Sequence, residues 1–318
     1  MLGILQIGDN VEEVMVISKL VVREFSGGEF LLFQFSSRDG ILKGVMWDPP
    51  EGLKEKIEQG DVARIKGKIQ DYKGSLQLKV SGIEKLDSRD YDPAMFLPSS
   101  ERDLDGIYSE ILGIIDEIEN PHIRDLLEAI FRDDSFRERF LTAPAAKSWH
   151  HSYVGGLAEH VYDMIRTATR TAEIYPEVDR DILLAGVILH DLGKMQEIEA
   201  AGYIDYTDRG RLLGHISLGV ELLNEYIRGI DDFPDDLAMK LKHMILSHHG
   251  RLEHGSPVLP MTIESLLLSY IDDMDAQVRG ALQFIGASET RSRNWTEYVR
   301  FLDRFLYSDA SEEQSENG

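Results

Sequence analysis

The first part of the chain alternates hydrophobic and polar residues, whereas the second part repeats hydrophobic residues every three or four positions. Alternation is typical of strands that bury one face, and the three-to-four repeat is typical of amphipathic helices. Five strands, rich in Val, Ile, Phe and Leu, are predicted at residues 11–25, 29–36, 41–47, 62–70 and 75–83. Residues 51–59 predict a short helix between the third and fourth strands. This is the element order of an OB-fold barrel.

A stretch containing Pro and Ser separates the two patterns. Ser99 or Ser100 is expected to cap the first helix that follows, with Asp103 and Asp105 near its positive end. The helical repeat then continues to Tyr307. The predicted fold class is therefore a multi-domain β plus all-α protein. Its predicted parts are an OB-fold barrel at 1–88, a linker at 89–100, an all-helical domain at 101–307 and a disordered acidic tail at 308–318.

The composition indicates the cellular compartment of the protein and excludes some kinds of covalent and metal site. The chain of 318 residues is long enough for two domains with cores of their own. It contains no cysteine, which excludes disulfides and thiolate metal sites and is consistent with a reducing cytoplasm. No apolar run approaches the roughly 20 residues of a membrane span, and residues 1–7 lack a basic flank. We expect a cytoplasmic protein that does not bind membranes.

The net charge of −23 is distributed unevenly along the chain. Residues 1–88 carry 12 Lys and Arg against 14 Asp and Glu, whereas the remainder carries 22 against 43. An acidic balance disfavours nonspecific binding of nucleic acid, but this balance belongs to the helical part. The predicted barrel is nearly neutral and stays a candidate for binding.

The helical part contains an ordered series of histidines and aspartates. They are His160, His190, Asp191, His215, His248, His249 and Asp272. Neutral imidazole and carboxylate suit divalent first-row metals, and so many ligands on successive helices suggest more than one ion. A lone histidine on an apolar face is more often a hydrogen-bonded core residue, and we interpret His122, His243 and His254 in that way or as surface residues.

This series and its neighbours resemble the HD phosphohydrolase superfamily, an all-helical metal-dependent fold. The resemblance is carried by Gly155-Gly156-Leu157-Ala158-Glu159-His160, His190-Asp191-Leu192-Gly193-Lys194, Gly214-His215, Ser247-His248-His249-Gly250, Asp272 and Asp275-Ala276. Residues 255–262 resemble one branch, the YhaM-like 3′→5′ exoribonucleases. The resemblance extends over residues 10–307.

The resemblance implies two divalent ions, Mn²⁺ first, with Co, Fe, Ni or Zn as alternatives. It implies that Asp191 bridges them: one ion would bind His160, His190, Asp191 and Asp272, and the other Asp191, His215, His248 and His249. Asp275 lies one helical turn from Asp272, so a ligand swap between the two is left open.

Three residues are candidates for catalytic roles. Asp191 would position both ions, which would lower the pKa of a bridging water. Lys194, one turn past His190, would hold a phosphate oxygen, although a cation at a helix C-terminus is an equally good interpretation. His151, with its neighbour His150, would contact substrate or protonate the leaving group, and an interhelical hydrogen bond is the plainer alternative.

The predicted barrel also presents candidates for nucleic-acid binding. Alternation places Arg64, Lys66 and Lys68 on one face of the fourth strand, and it points Lys43, Trp47 and Phe30 outward on the neighbouring strands. Cations that follow phosphates and rings that stack on bases suit single-stranded nucleic acid. An ordinary solvated barrel face is the alternative.

Together the sequence predicts a metal-dependent 3′→5′ exonuclease acting on single-stranded RNA, with single-stranded DNA and a homo-oligomer left open. Direction and polarity come from the resemblance; the residues themselves indicate only metal-assisted phosphoester hydrolysis. One alternative is an HD phosphodiesterase acting on small or cyclic nucleotides. Another is a noncatalytic nucleic-acid adaptor, which a complete ligand set disfavours.

Overall fold

The computed structural model describes residues 5–25, 28–37, 40–72, 74–87, 90–92, 95–147, 151–200, 202–287 and 294–307. The predicted acidic tail at 308–318 and His150 lie outside these residues. The chain divides into two compact units. One comprises Met1–Glu101 with Ile198–Tyr206, and the other comprises Arg102–Glu197 with Thr207–Gly318.

The first unit contains a closed five-stranded barrel, as the alternation predicted. Its strands are β1 (Asn10–Phe25), β2 (Gly28–Ser37), β3 (Gly40–Trp47), β4 (Val62–Tyr72) and β5 (Ser75–Lys85). They pair in the order β1-β2-β3-β5-β4, where β3 and β5 are parallel and the other described pairs are antiparallel. The OB-fold prediction is confirmed.

The barrel core consists of the side chains on the inner face of each strand. On β2 these are Leu31, Phe33 and Phe35, all buried, while Phe30 and Gln34 on the other face are only partly covered. The helix predicted at residues 51–59 is wrong: this segment is a run of turns. Gly52 there adopts a φ of +77°, which a right-handed helix does not allow.

The second unit is helical. Its helices are α1 (Leu104–Asp116), α2 (Pro121–Phe131), α3 (Asp134–Thr142), α4 (Gly156–Ile174), α5 (Arg180–Leu189), α6 (Lys194–Glu197), α7 (Asp208–Arg228), α8 (Asp235–Ser247) and α9 (Ile263–Ala287). The cap of α1 differs from the prediction. Asp103, not Ser99 or Ser100, is the N-cap, and its carboxylate accepts a hydrogen bond from the Gly106 N–H at 3.0 Å.

Helix α5 lies at the centre of the helical core. Every residue from Ile182 to Leu189 is buried, so this helix has no solvent-facing side beyond its first turn. A helix that is hydrophobic all round is enclosed by its neighbours. Its C-terminal end therefore delivers His190 and Asp191 into the interior, where both are at most 1% exposed.

Gly193, two residues after Asp191, does not have a positive φ, so its role is not that of a left-handed helix end. This glycine permits a close approach of α7, because a Cβ atom built on Gly193 would lie 2.0 Å from the His215 carbonyl oxygen. The absence of a side chain at Gly193 thus lets two ligand-bearing segments meet.

Two small features interrupt the helical part of the sequence. A hairpin of β6 (Ile198–Ala200) and β7 (Ile204–Tyr206) follows α6, and it groups with the barrel unit. After α9, the described residues 294–307 form turns and isolated bridges, Trp295 with Tyr307 and Val299 with Arg304, so the helical repeat predicted to Tyr307 is wrong there. Strands of three residues are too short to show an alternation. No helix in the described part of the chain is long and apolar enough to cross a membrane.

Candidate functional site

The seven predicted metal ligands converge in the helical unit, although they come from separate elements. His160 lies on α4, His190 caps α5, Asp191 follows it, His215 lies on α7, His248 caps α8, His249 follows it, and Asp272 lies on α9. Two groups of these side chains have ligand atoms close enough to hold a metal ion. They are His160 with His190 and Asp272, and His215 with His248 and His249.

In three of these histidines the Nδ1 atom is hydrogen-bonded to a backbone carbonyl oxygen. The Nδ1 atom of His190 lies 2.8 Å from the carbonyl oxygen three residues earlier, and the corresponding distance for His248 is 2.7 Å. The Nδ1 atom of His249 lies 2.9 Å from the carbonyl oxygen of His254. A carbonyl only accepts, so Nδ1 carries the proton and Nε2 keeps its lone pair for a ligand.

Carboxylates hold the other two histidines in the same way. Asp275 Oδ2 lies 2.7 Å from Nδ1 of His160. Glu197 lies 3.0 to 3.1 Å from Nδ1 of His215. Asp275 is thus on the far side of the His160 ring, whereas Asp272 Oδ1 faces Nε2 of that ring at 3.4 Å. This geometry favours Asp272 over Asp275 as the ligand.

Asp191 lies between the two groups and presents one oxygen to each. Its Oδ2 atom is 3.3 Å from Nε2 of His190 and 3.6 Å from Nε2 of His160. Its Oδ1 atom is 3.6 Å from Nε2 of both His215 and His248. A carboxylate placed in this way can bridge two cations with its two oxygens.

Several buried polar atoms at this centre have no hydrogen-bond partner in the described part of the chain. They include Asp191 Oδ1 and the Nε2 atoms of His215 and His248. Buried polar atoms are almost always paired, so such a cluster is one that a bound cation could satisfy. Carboxylate and imidazole are the ligands that divalent first-row metals accept, and the residues present therefore fit a metal ion.

The electrostatics of the centre suit ligands for cations. Burial lowers the pKa of His248 well below its ordinary value, which keeps the ring neutral. Burial opposes ionisation of Asp191, but Lys194 and then His190 outweigh it and hold the pKa of that carboxyl well below its usual range. Burial likewise lowers the pKa of His160, yet Asp272 and Asp275 together raise it to about 9.

Lys194 lies against the bridging carboxylate. Its Nζ atom is 2.5 Å from Asp191 Oδ2, and its side chain is mostly buried. The predicted contact between Lys194 and a phosphate oxygen stays a prediction. The position is compatible with it, because a cation beside Asp191 would also lie beside any anion bound at the centre.

His151 is placed behind the centre. Its backbone adopts a left-handed φ of 51°, and its ring is buried. Its Nε2 atom donates to Asp275 Oδ2 at 3.2 Å, and its Nδ1 atom accepts from the Tyr153 hydroxyl at 2.8 Å. With both nitrogens engaged, His151 supports Asp275, which supports His160. The geometry favours the interhelical hydrogen bond, and the catalytic role of His151 stays a prediction.

The remaining described histidines behave as the sequence suggested. The ring of His122 packs edge-on against Phe233. His243 accepts a hydrogen bond from the Met261 N–H at 2.9 Å, and the side chain of His254 is exposed. None of these three belongs to the groups that could hold a metal ion.

The barrel presents an aromatic cluster on its outer face. The rings of Phe30 and Trp47 lie 4.6 Å apart, and Phe25 packs against both. Trp47 is 48% exposed, so about half of this residue remains accessible to a partner. The cluster borders a groove of about 650 Å³ in the same unit.

A polar row crosses the floor of this groove. The ladder pairs Lys19 with Gln34, Gln34 with Lys43, Lys43 with Gln77 and Gln77 with Gln70. All five line the groove together with Arg23, Phe30 and Trp47. The predicted residues Phe30, Lys43 and Trp47 are therefore neighbours on one surface.

The other three predicted cations lie elsewhere on the barrel. Arg64, Lys66 and Lys68 are exposed on β4, but they do not line the groove. Lys66 is paired with Glu12 at 2.8 Å. Lys19 and Arg23 were not predicted, and they are the cations that join Lys43 in the groove.

Comparison with known proteins agrees with both units. Residues 157–277 match the HD domain, and residues 13–86 match an OB-fold nucleic acid binding domain. The chain is 34% identical over 275 residues to the 3′-5′ exoribonuclease YhaM of Listeria innocua, covering 86% of this chain and 87% of that protein. The YhaM protein of Listeria welshimeri gives the same identity and coverage.

The chain belongs to the YhaM exoribonuclease family. Family membership confirms the predicted resemblance and makes the chain a hydrolytic nuclease with an HD domain and an OB-fold. All seven candidate metal ligands lie inside the matched HD region.

The contact between Glu197 and His215 was not predicted from the sequence. Glu197 lies three residues after Lys194, which itself lies three after Asp191. Three ionisable residues at that spacing share one helical side, and this was the signal available. The spacing alone could not show that Glu197 turns toward His215.

Proposed function

We propose that this chain is a metal-dependent 3′→5′ exoribonuclease that hydrolyses the terminal phosphodiester of single-stranded RNA with a metal-activated water. The observation that carries the proposal is the placement of Asp191, with one oxygen toward each group of imidazole Nε2 atoms. The names of the YhaM relatives support the direction and the substrate.

The candidate ligands would bind two divalent ions. His160, His190 and Asp272 would hold one divalent ion, His215, His248 and His249 would hold a second, and Asp191 would bridge them. Mn²⁺ is the first candidate. Such a pair supplies an acidified water near neutral pH and neutralises charge on the phosphate oxygens. Lys194 would hold a further phosphate oxygen, so no serine or cysteine nucleophile is required.

The groove on the barrel would hold the strand. Phe30 and Trp47 offer ring faces on which unpaired bases stack, and Lys19, Arg23 and Lys43 lie where the phosphates of a strand across the groove would pass. Duplexes conceal the faces of their bases, so this surface favours single strands.

The decisive experiment is one incubation series with metal-depleted protein. Single-stranded RNA and DNA labelled at the 5′ end, and cyclic dinucleotides, are each tested with Mn²⁺, Co²⁺, Fe²⁺, Ni²⁺ and Zn²⁺. We expect a ladder of RNAs shortened from the 3′ end, strongest with Mn²⁺ and absent with chelator. Cleavage of cyclic dinucleotides alone would instead support a small-nucleotide phosphodiesterase, and binding without cleavage under every metal would support an adaptor.

The salt dependence of RNA binding distinguishes the two sets of cations. Each lost phosphate contact on a single strand should flatten the slope of log affinity against log salt by about 0.7. We expect the triple change of Lys19, Arg23 and Lys43 to Ser to flatten it by roughly 2. The matched control changes Arg64, Lys66 and Lys68 to Ser, which removes the same charge outside the groove.

Filter binding with metal omitted measures both slopes. A flattened slope in the Arg64, Lys66 and Lys68 variant, with none in the groove variant, would move the strand to the face first predicted from the sequence. Equal flattening in both would mean that the strand contacts both faces of the barrel.

A further inference from the structure

Helix α7 breaks one residue before a metal ligand. Gly214 lies within the helix but adopts φ 71° and ψ 152°, values that do not belong to a helix. A side chain at this φ would be strained, so glycine suits the position. The break means that the segment beginning at His215 is in effect the start of a new helix, whose first N–H groups lack intrahelical acceptors.

Glu197 supplies the acceptor at this break. Its Oε1 atom accepts a hydrogen bond from the backbone N–H of His215 at 2.9 Å. The same carboxylate accepts from Nδ1 of that ring at 3.0 to 3.1 Å. One side chain therefore holds both the backbone and the imidazole of His215. A negative charge is also favourable at the start of a helix.

Glu197 is itself held firmly. The residue is buried, and its carbonyl oxygen accepts from the Thr207 N–H at 2.9 Å. Thr207 is the N-cap of α7, so Glu197 is anchored to the beginning of the helix whose break it spans. The backbone of Glu197 is therefore held by the fold, close to the break in α7.

We infer that Glu197 is a positioning residue that sets the metal affinity of the group formed by His215, His248 and His249. A carboxylate on Nδ1 fixes the tautomer of an imidazole and makes Nε2 a better ligand. Asp275 makes the same contact with His160 in the other group, so each group has a carboxylate of its own. The inference rests on the metal centre of the proposed function.

The test measures metal binding by the full chain, independently of activity. Metal-depleted protein is titrated with Mn²⁺ by calorimetry, and bound metal is counted by elemental analysis. For the unmodified chain we expect two ions. Glu197→Ala should weaken one of them about 10- to 100-fold, and Asp275→Asn should weaken the other by a similar factor. The double variant should lose both.

Two further variants separate the loss of charge at Glu197 from misfolding and from nonspecific effects. Glu197→Gln preserves volume and an acceptor oxygen but removes the charge, so it should give an intermediate loss even if the alanine variant folds poorly. Glu199→Gln changes an exposed acid two residues away and should bind metal like the unmodified chain. The melting temperature of each metal-free variant, measured in parallel, reports whether the fold survives.

The outcomes separate the inference from the function on which it rests. Two ions bound with unchanged affinity by Glu197→Ala and Glu197→Gln would overturn the role of Glu197. Equal weakening of both ions in folded Glu197→Gln would overturn its assignment to one group. If the unmodified chain binds no divalent ion at all, the proposed metal centre fails.

Discussion

Replacing Asp191 by alanine is expected to abolish hydrolysis of single-stranded RNA while leaving the overall fold in place. The carboxylate presents Oδ2 to His160 and His190 and Oδ1 to His215 and His248, so its loss removes the contact shared by both groups. Without correctly held ions no acidified water forms near neutral pH, and the rate should fall by several orders of magnitude. Turnover and metal content are measured on the same purified protein.

The controls for Asp191 address burial and charge separately. Asp191→Asn keeps the shape of a side chain that is only 1% exposed, and we expect it to lose activity as well, because a neutral amide cannot bridge two cations. Asp273→Ala removes an exposed acid beside Asp272 and should leave activity unchanged. Near-normal turnover and full metal content in Asp191→Ala would contradict the bridged centre.

Trp47→Ala should weaken binding of single-stranded RNA by about 1–3 kcal/mol, which corresponds to roughly 5- to 150-fold in affinity. The ring is half exposed and packs beside Phe30, so the two rings can stack on successive bases. Phe30→Ala should produce a loss of the same order. Because stacking releases no counterions, the salt slope should not change.

Fluorescence anisotropy of labelled RNA, recorded without metal at several salt concentrations, measures both quantities. Tyr175→Ala provides the matched control, since this ring is also about half exposed but lies at the end of α4 in the helical unit. Unchanged affinity in Trp47→Ala and Phe30→Ala would show that the aromatic cluster is not a stacking surface.

Local patterns predicted the regular elements closely. All five strands agree with the predicted segments to within two residues at each end. Alternation and the helical repeat record which face of an element is buried, and both are visible along the chain. The prediction failed at residues 51–59, at the hairpin of β6 and β7 and at residues 294–307, none of which contains a regular element long enough to show a repeat.

The strand β1 shows why the groove could not be predicted in full. Its pairing with β2 shifts register between Ile17 and Lys19. An irregularity of this kind reverses which alternate positions face outward, so Lys19 and Arg23 line the groove although simple alternation assigns them to the face of Ile17. The shift depends on the neighbouring strand and leaves no mark in β1 alone.

At the candidate metal centre, too, some features follow from the local sequence and others depend on contacts between distant segments. The types and the order of the candidate ligands could be predicted from the chain alone, because imidazole and carboxylate chemistry does not depend on the fold. Three contacts depend on how the helices pack: Asp191 faces both groups, Asp272 and not Asp275 faces Nε2 of His160, and Glu197 holds His215. Those contacts join residues from different helices, and their geometry follows from helix packing and from the break at Gly214, which no local pattern encodes.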